Sequence, residues 1–462
     1  MTFDEYLDAL SQKTVAIIGI GVSNTPLIRL MLQRGIRVTA CDRADRAKFN
    51  NDELLRELEE LGAQLRLGED YLKDLDQDVI FRSPGIRPDI PAFEAARARG
   101  SEITSEMEVF FKVCPCKKIA VTGSDGKTTT TTIIARVLEE AGHTVHLGGN
   151  IGRPLLPDTN LMRPDDIAVL ELSSFQLLTM DESPDIAVVT NLAPNHLDIH
   201  KGMDEYVAAK QNIYLHQKPT DRVVLNRDNA ITNAFAQDAP GQVVLFSRQN
   251  ELEEGVVLEN GVICVKKNGQ CREVLPVSDI LIPGVHNVEN YMAAIAALDG
   301  IVPDLVFRRF AASFGGVEHR IELVREYKGV KYYNDSIASS PSRTIAGLRS
   351  FRQKVILIAG GYDKHIPYDD MGPDLVEHVK LMILTGPTAP KLRAAAEKAP
   401  GFAESGMRIL DADSFEDAVA KAVELAVAGD IVTMSPASAS FDRFKNFMER
   451  GNTFKRLINA LE

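Results

Sequence analysis

Short apolar runs that end in Gly, Ser or Pro alternate along this chain with segments of helical spacing. The first such run, TVAIIGIGVSN, reads as a strand entering a Gly turn; PLIRLMLQRG follows as a helix stopped by Gly35, and IRVTACD as a second strand. DVIFRSPGI is a further strand that closes on a Pro-Gly turn. This rhythm predicts a small doubly wound α/β domain over residues 1–105, with ITSEMEVFFKVCPCKK as the bridge out of it.

From Lys118 the pattern restarts. IAVTG is a strand, TTTTTIIARVLEEAG a helix ended by Gly142, and TVHLGGN, IAVLELSS and IAVVTNL are further strands. Residues 241–285 are strand-rich and punctuated by Gly, and HNVENYMAAIAALDG returns to helix. A central domain is therefore expected over 106–316. The last third, 317–462, opens on a hairpin, VREYKGVKYYND, turning at Lys328-Gly329, and continues through VILIAGG, LMILTG and IVTMSPAS. Open parallel sheets bind ligands at the carboxyl ends of their strands, so those last three ends are expected on one functional face.

Composition narrows the class. A hydrophobic fraction of 45% with 25% charged residues is that of an ordinary globular protein, and no run reaches the ~18 apolar residues that span a bilayer. The start, MTFDEYLDALSQ, is acidic and amphipathic, which predicts a cytoplasmic protein. The formal charge of -13 repels polyanions, so nucleic acid is not an expected partner, and without a spanning run neither is a membrane. Five cysteines, with Cys114-Pro-Cys116 lacking zinc-ribbon spacing, predict reduced thiols.

Candidate chemistry begins at VTGSDGKTTTT, residues 121–131. The Walker A loop is G-x-x-x-x-G-K-S/T, and only two residues separate Gly123 from Gly126 here, so the pattern is two short. A strand, two glycines, a Lys and a Thr still arrive in the order a phosphate cradle needs. Gly123, Ser124, Asp125 and Gly126 would offer backbone N–H groups, Lys127 would neutralise phosphate, and Thr128 and Thr129 would open the helix. Read without a ligand, the same stretch is a Thr-capped helix start. Glu171, at the polar end of IAVLELSS, stands where a carboxylate would reach Mg²⁺. His196, in the loop after IAVVTNL, could ligate a metal or be structural, and Lys210, in DEYVAAKQNIY, reads by default as a solvated surface lysine. G-I-G-V-S-N at 19–24 with Asp42 half matches the dinucleotide fingerprint, Asn24 standing at the third Gly position. A mononucleotide or diphosphate-sugar site made by Gly21, Val22, Ser23, Asp42 and Arg43, with the strand end Ser83-Pro84-Gly85, fits at least as well as NAD. An NAD-dependent oxidoreductase built on this unit remains the alternative from another class.

Ordered motifs carry a resemblance to a known family. T-G-S-D-G-K-T-T at 122–129 is similar to the shortened phosphate loop of the ATP-dependent Mur ligases, which build the bacterial cell-wall precursor. G-G-N-I-G at 148–152, E-L-S-S-F-Q-L at 171–177, N-H-L-D at 195–198 and Y-V-A-A-K at 206–210 resemble successive family motifs. So do G-V-H-N-V-E-N at 284–290, E-H-R at 318–320, Y-N-D-S at 333–336 and G-G-Y-D-K at 360–364. The segment S-P-A-S-A-S-F-D at 435–442, with its continuation to Gly451, resembles members that add D-glutamate.

The resemblance implies an α/β fold of three domains, each around a mostly parallel sheet: N-terminal Rossmann-like, central P-loop NTPase-like and C-terminal Rossmann-like. It implies a monomeric ligase of peptidoglycan synthesis that uses ATP and two Mg²⁺ ions, with UDP-N-acetylmuramoyl-L-alanine and D-glutamate as substrates. A related ligase adding a different amino acid is the nearest alternative. In that family the residue matching Lys210 is carbamylated, and Lys127, His196 and Lys210 are the implied catalytic group. Thr128, Glu171, His196 and Lys210 are the implied metal set. Asn287 and Asn290 would face adenine, Arg320 the ATP phosphates and Asp335 the ribose. Asn150 and Ser173 would contact the UDP substrate, while Ser339, Arg343, Lys364, Ser440, Phe441 and Phe447 would hold the amino acid. Many relatives carry Lys after Y-N-D-S; here Ile337 leaves one cation fewer, for which Arg343 would be the nearby substitute.

Overall fold

The computed structural model describes residues 1–49, 51–194 and 199–462. Two compact units are present: residues 1–275 with 289–307, and residues 276–288 with 308–462.

The first unit holds two sheets. A five-stranded parallel sheet runs in the order Gln64–Leu67, Arg37–Asp42, Thr14–Ile18, Val79–Phe81, Glu102–Thr104. Its central strand is continuously apolar because helices cover both faces, and Val15 to Ile18 are fully buried. The order reverses between Thr14–Ile18 and Val79–Phe81, which brings the turn after Ile18 beside Ser83: a Cβ on Gly19 would lie 3.3 Å from the Ser83 Cβ. Such a switch point is where an open sheet leaves a crevice for ligands.

The second sheet of this unit has nine strands in the order Gln270–Pro276, Val262–Lys267, Gly255–Glu259, Gln242–Ser247, Arg222–Asn226, Ile186–Val189, Lys117–Thr122, Ile167–Glu171, Val145–Gly149. From Gly255–Glu259 to Val145–Gly149 all neighbours are parallel. Gly255–Glu259 and Val262–Lys267 form an antiparallel pair, the Gly-punctuated segment seen in the sequence. Lys117–Thr122 is flanked by Ile186–Val189 and Ile167–Glu171, with Val121 paired to Glu171 and Thr122 to Val189. That register decides which side chains surround the loop at 123–126.

The second unit is built on six strands, Glu322–Tyr327, Val330–Asn334, Ile431–Met434, Val355–Ala359, Val379–Leu384 and Arg408–Asp411 in that order. Only the first pair is antiparallel. Lys328 and Gly329 both have positive φ, 50° and 76°, which is the two-residue turn the hairpin reading called for. Of the three ends that the strand-end argument groups, Met434 pairs with Ile358 and Leu384 with Ala359, so they are neighbours, and Asn334 pairs with Met434 beside them. The chain therefore carries an α/β fold around three mostly parallel sheets. Among the described residues no helix is long and apolar enough to cross a membrane.

Candidate functional site

Helix Lys127–Glu140 starts on Gly126, whose φ of 79° lets the backbone reverse from strand to helix. Both loop glycines are also fixed by protein neighbours. A Cβ on Gly123 would meet the Thr190 hydroxyl at 1.9 Å, and one on Gly126 the Asn290 side-chain oxygen at 2.4 Å. The tightness of the loop thus has a packing reason within the protein. Its floor is tied down further: Ser124 N–H donates to the Asn191 carbonyl at 2.8 Å and Asp125 N–H to the Asn191 side chain at 3.0 Å. Ser124 Oγ also meets the buried Tyr206 hydroxyl at 2.9 Å.

Around this loop stand most of the central candidates. Lys127 Nζ donates to the Gly123 and Ser124 carbonyls, each at 2.9 Å. Thr128 Oγ1 donates to Glu171 Oε2 at 2.6 Å, and Asn150 Nδ2 to Glu171 Oε1 at 2.8 Å. One carboxylate therefore joins the phosphate loop to the G-G-N-I-G turn. Thr130 Oγ1 donates to Asn290 Oδ1 at 3.2 Å, placing Asn290 of helix Val285–Leu298 beside the loop. Thr129 is buried at the helix start.

Lys210 overturns its default reading as a solvated lysine. On helix Met203–Leu215 it is only 1% exposed, and Nζ donates to Thr122 Oγ1 at 3.0 Å and to the Gly123 carbonyl at 2.9 Å. Burial holds its pKa well below that of an ordinary lysine; repulsion from Lys127 adds to the effect and Glu171 opposes it. A buried amine beside a phosphate loop, readily neutral, is available as a nucleophile. Asn195, His196, Leu197 and Asp198 lie outside the described residues, so the reading of His196 has no geometry here.

Hard oxygen donors suit Mg²⁺, which takes one or two protein oxygens and keeps the rest of its shell as water or phosphate. Thr128 and Glu171 supply that set at a helix N-terminus. Among the described residues no group of three His, Cys, Asp or Glu gathers as a denser metal cluster.

At the first sheet, Gly21, Val22 and Ser23 are exposed at the strand-to-helix turn, and a cavity of about 570 Å³ opens beside them. Ile20, Gly21, Val22, Thr25, Arg29 and Lys48 are among its lining residues. Asp42 does not point away: Oδ2 accepts from Ile20 N–H at 2.8 Å and Oδ1 from Ala44 N–H at 2.9 Å, so it shapes the turn. Asn24 Nδ2 donates to the Ile18 and Gly19 carbonyls, both at 3.1 Å, which explains a buried Asn at the third fingerprint position. Arg43 and Gly85 are exposed, while Ser83 and Pro84 are half-buried. Arg29 and Lys48 were not singled out from sequence, because a cation at the surface of a helix or turn carries no periodic signal; Arg29 is half-buried and paired with Glu57 at 2.6 Å, and Lys48 is exposed. Ser173 caps the short helix Ser174–Leu177 through Gln176, and Ser174 is buried against His200, Oγ to Nε2 at 2.9 Å.

In the second unit Asp335 is 4% exposed, with Oδ2 accepting from Ser435 Oγ at 2.7 Å and Oδ1 from Ile321 N–H at 3.3 Å. Burial raises its pKa to about 7, against those two hydrogen bonds and the charges of Arg320 and Arg343. Arg343 NH1 donates to the Ile337 carbonyl at 3.3 Å, so the two residues of the departure from the family pattern touch. Tyr362 N–H donates to the Ala439 carbonyl at 2.9 Å, which sets the loop of exposed Lys364 beside that of Ser440 and Phe441. Phe441 is exposed and meets Tyr362 edge-on; Ser440 is buried, and Ser339 is half-buried. Phe447 meets buried His319 edge-on at 5.9 Å and accepts from Ser336 Oγ at its carbonyl. Asn287 Nδ2 donates to the Pro283 carbonyl, and Arg320 is exposed.

Sequence reading missed Arg450. It is 2% exposed, and its guanidinium donates to Ser336 Oγ, the Ser336 carbonyl and the Ser438 and Ala439 carbonyls at 2.9 to 3.1 Å. One cation thus fixes the Y-N-D-S end and the S-P-A-S-A-S loop together. Burial lowers its pKa to about 10, which leaves it charged at neutral pH.

Three family descriptions match in order: "Mur ligase MurD-like, N-terminal domain" over residues 13–105, "Mur ligase middle domain" over 121–298 and "Mur ligase, glutamate ligase domain" over 319–438. The UDP-N-acetylmuramoylalanine--D-glutamate ligase of Acetivibrio thermocellus is 52% identical over 462 residues, covering 99% of each chain. The like-named protein of Ruminiclostridium cellulolyticum is 50% identical over 463 residues, again covering 99% of each. Among solved structures, UDP-N-acetylmuramate-alanine ligase of Thermotoga maritima shares the fold with a TM-score of 0.59 at 18% identity, covering 97% of this chain and 100% of that one. With full-length relatives at such identity, the chain belongs to the Mur ligase family.

Proposed function

We propose that this chain is an ATP-dependent ligase that joins D-glutamate to UDP-N-acetylmuramoyl-L-alanine in peptidoglycan precursor synthesis. The observation that carries the reading is the convergence of Lys127, the Thr128–Glu171 pair and buried Lys210 on one shortened phosphate loop. The names of the full-length relatives support the choice of amino acid.

A free carboxylate is a poor electrophile, so the substrate's carboxylate oxygen first attacks the γ-phosphorus of ATP and ADP leaves. The D-glutamate amine then attacks the acyl carbon, a proton is lost from nitrogen, and the tetrahedral intermediate expels phosphate to leave the amide. Positioning and charge neutralisation are the protein's share of this chemistry. The amides of Gly123 to Gly126 and the helix N-terminus cradle phosphate oxygens. Lys127, on exchanging its two carbonyl partners for phosphate, offsets charge as the γ-phosphoryl group moves. Thr128 and Glu171 would hold Mg²⁺, which when bound screens the phosphates. Lys210, as a neutral amine, would add CO₂ and lose a proton to give a carbamate, and that carbamate and His196 would hold a second Mg²⁺, which when bound would neutralise charge on the reacting groups. Asn287 and Asn290 would serve adenine, Arg320 the ATP phosphates and Asp335 the ribose. The first sheet's turn, Asn150 and Ser173 take the UDP substrate, and the loops of Arg343, Lys364, Ser440, Phe441 and Phe447 take D-glutamate. The corresponding domain limits are 1–105, 106–316 and 317–462.

Phosphate release is measured with ATP, Mg²⁺ and UDP-N-acetylmuramoyl-L-alanine against a panel of D- and L-amino acids. D-glutamate alone is expected to support turnover; equal or faster release with another amino acid refutes the assignment. For Lys210, ¹³CO₂ is expected to give a carbamate carbon resonance that Lys210→Ala loses. An active enzyme without that resonance refutes the modification.

A further inference from the structure

Helix Glu106–Val113 ends where Pro115 removes an N–H donor and forces the preceding residue out of the helical region, and Cys114 accordingly sits at φ −66° and ψ 121°. Residues two apart in an extended segment point the same way. Cys114 and Cys116 therefore share a face, with Sγ atoms 3.4 Å apart in the reduced state. Lys118 continues that alternation from the following strand. The two thiols are unequal: Cys116 is 4% exposed and packs into the core, whereas Cys114 is half-buried at its edge.

We propose that Cys114 and Cys116 form a redox-active dithiol that exchanges with low-molecular-weight disulfides, Cys114 attacking and Cys116 resolving. Closing from 3.4 Å to a disulfide bond of about 2.05 Å needs a movement of about 1.4 Å, within reach of rotation at two side chains and the extended backbone between them. The hydrogen bond between the two sulfurs lowers the Cys114 pKa against the effect of burial, with Lys118 adding to the lowering, while the same hydrogen bond and burial raise the Cys116 thiol. Attack is thereby assigned to the more exposed sulfur.

The steps balance. Cys114 thiolate attacks one sulfur of the small disulfide, a mixed disulfide forms and one thiolate leaves. Cys116 then loses its proton to that thiolate or to solvent and attacks Cys114 Sγ, forming the internal disulfide and expelling the second small thiolate. Two electrons pass from the cysteine pair to the small disulfide. A disulfide in a reducing compartment is characteristically transient and sensing rather than structural. Packing alone is the competing account, since a buried thiol also serves as a small apolar group.

The test uses the reduced full-length protein incubated with oxidised glutathione, alkylated and digested with trypsin. Cleavage after Lys112 and Lys117 releases both cysteines in the single peptide 113–117, whereas Cys264 and Cys271 fall in different peptides. Peptide 113–117 is expected to resist alkylation, to be lighter by two hydrogens and to recover both alkylation sites after dithiothreitol. Cys116→Ser is expected to stop at one glutathione on Cys114, and Cys114→Ser to leave Cys116 unmodified. Full double alkylation of 113–117 at a glutathione level that already modifies exposed Cys271 overturns the proposal. So does a Cys116→Ser protein with no adduct on Cys114.

Discussion

Asp335→Asn isolates the cost of one buried charge. The carboxyl group sits at the end of strand Val330–Asn334, 4% exposed, and burial moves its pKa from 3.8 to about 7. Between these two values the folded protein keeps a proton that the unfolded chain has released. Stability therefore falls as pH rises through this window, and above pH 7 the full cost is present. At about 1.36 kcal/mol per pH unit, the interval from pH 5.5 to 7 costs roughly 2 kcal/mol. Asparagine fits the same partners: its oxygen can accept from Ile321 N–H and its amide donate to Ser435 Oγ, whose single proton then turns from residue 335 to Thr344 Oγ1, 3.0 Å away. The wild type should lose about 2 kcal/mol relative to the variant between pH 5.5 and 8. A chain of two units need not unfold in one step, so hydrogen exchange read by mass spectrometry on peptides from Val330–Asn334 and Ile431–Met434 is the suitable assay. Protection that changes with pH by the same amount in both proteins, to within about 0.5 kcal/mol, refutes the reasoning.

Three further substitutions probe the loop and the clamp. Glu171→Gln preserves contacts to Asn150 and Thr128 but removes the charge, so phosphate release should fall about 10²- to 10³-fold with a higher Mg²⁺ requirement and an unchanged melting temperature; a near-normal Mg²⁺ titration counts against the metal assignment. Gly126→Ala puts a Cβ 2.4 Å from Asn290 Oδ1 at a φ of 79°, and should cost about 1–3 kcal/mol and raise the KM for ATP; unchanged melting and KM would show that the loop relaxes freely. Arg450→Met strips donors from the Ser336, Ser438 and Ala439 carbonyls, and should destabilise the second unit by roughly 3–5 kcal/mol, seen as lost protection in peptides covering 435–440. Full protection there would mean that the two segments hold together without the guanidinium.

The strand ends were legible because burial on both faces writes itself as unbroken apolar runs, and a polar residue after such a run marks the exit. Glu171 was found that way. What the run cannot show is register: that Glu171 pairs opposite Val121, and so reaches Thr128, depends on which strands become neighbours. The Gly126 constraint was half legible, since a positive φ is a local property but the Asn290 side chain that crowds it arrives from residues far along the chain. Asp42 enters the sequence reading as a candidate ligand contact and Asn24 as the residue at the third Gly position; in the structure both also close hydrogen bonds within the turn. A short polar side chain at a turn serves either purpose, and the letters do not separate them.

Lys210 and Arg450 share a signal that the sequence did contain. On helix Met203–Leu215 the buried positions include Tyr206, Lys210, Ile213 and Tyr214; on helix Phe447–Asn459 they include Arg450, Phe454 and Ile458. Each cation occupies a position three to four residues from apolar neighbours on the inward stripe, where a solvated residue does not belong. A charge held there requires acceptors that come from elsewhere in the fold. For Lys210 these are Thr122 and the Gly123 carbonyl; for Arg450 they are one hydroxyl and three carbonyls. The two side chains then diverge by chemistry. Arginine keeps its proton even at about 10, so burial makes it a permanent clamp between two loops. Lysine surrenders its proton when buried, so the same placement beside the phosphate loop makes a reactive amine, and the choice of Lys rather than Arg at 210 is itself an argument that this position performs chemistry.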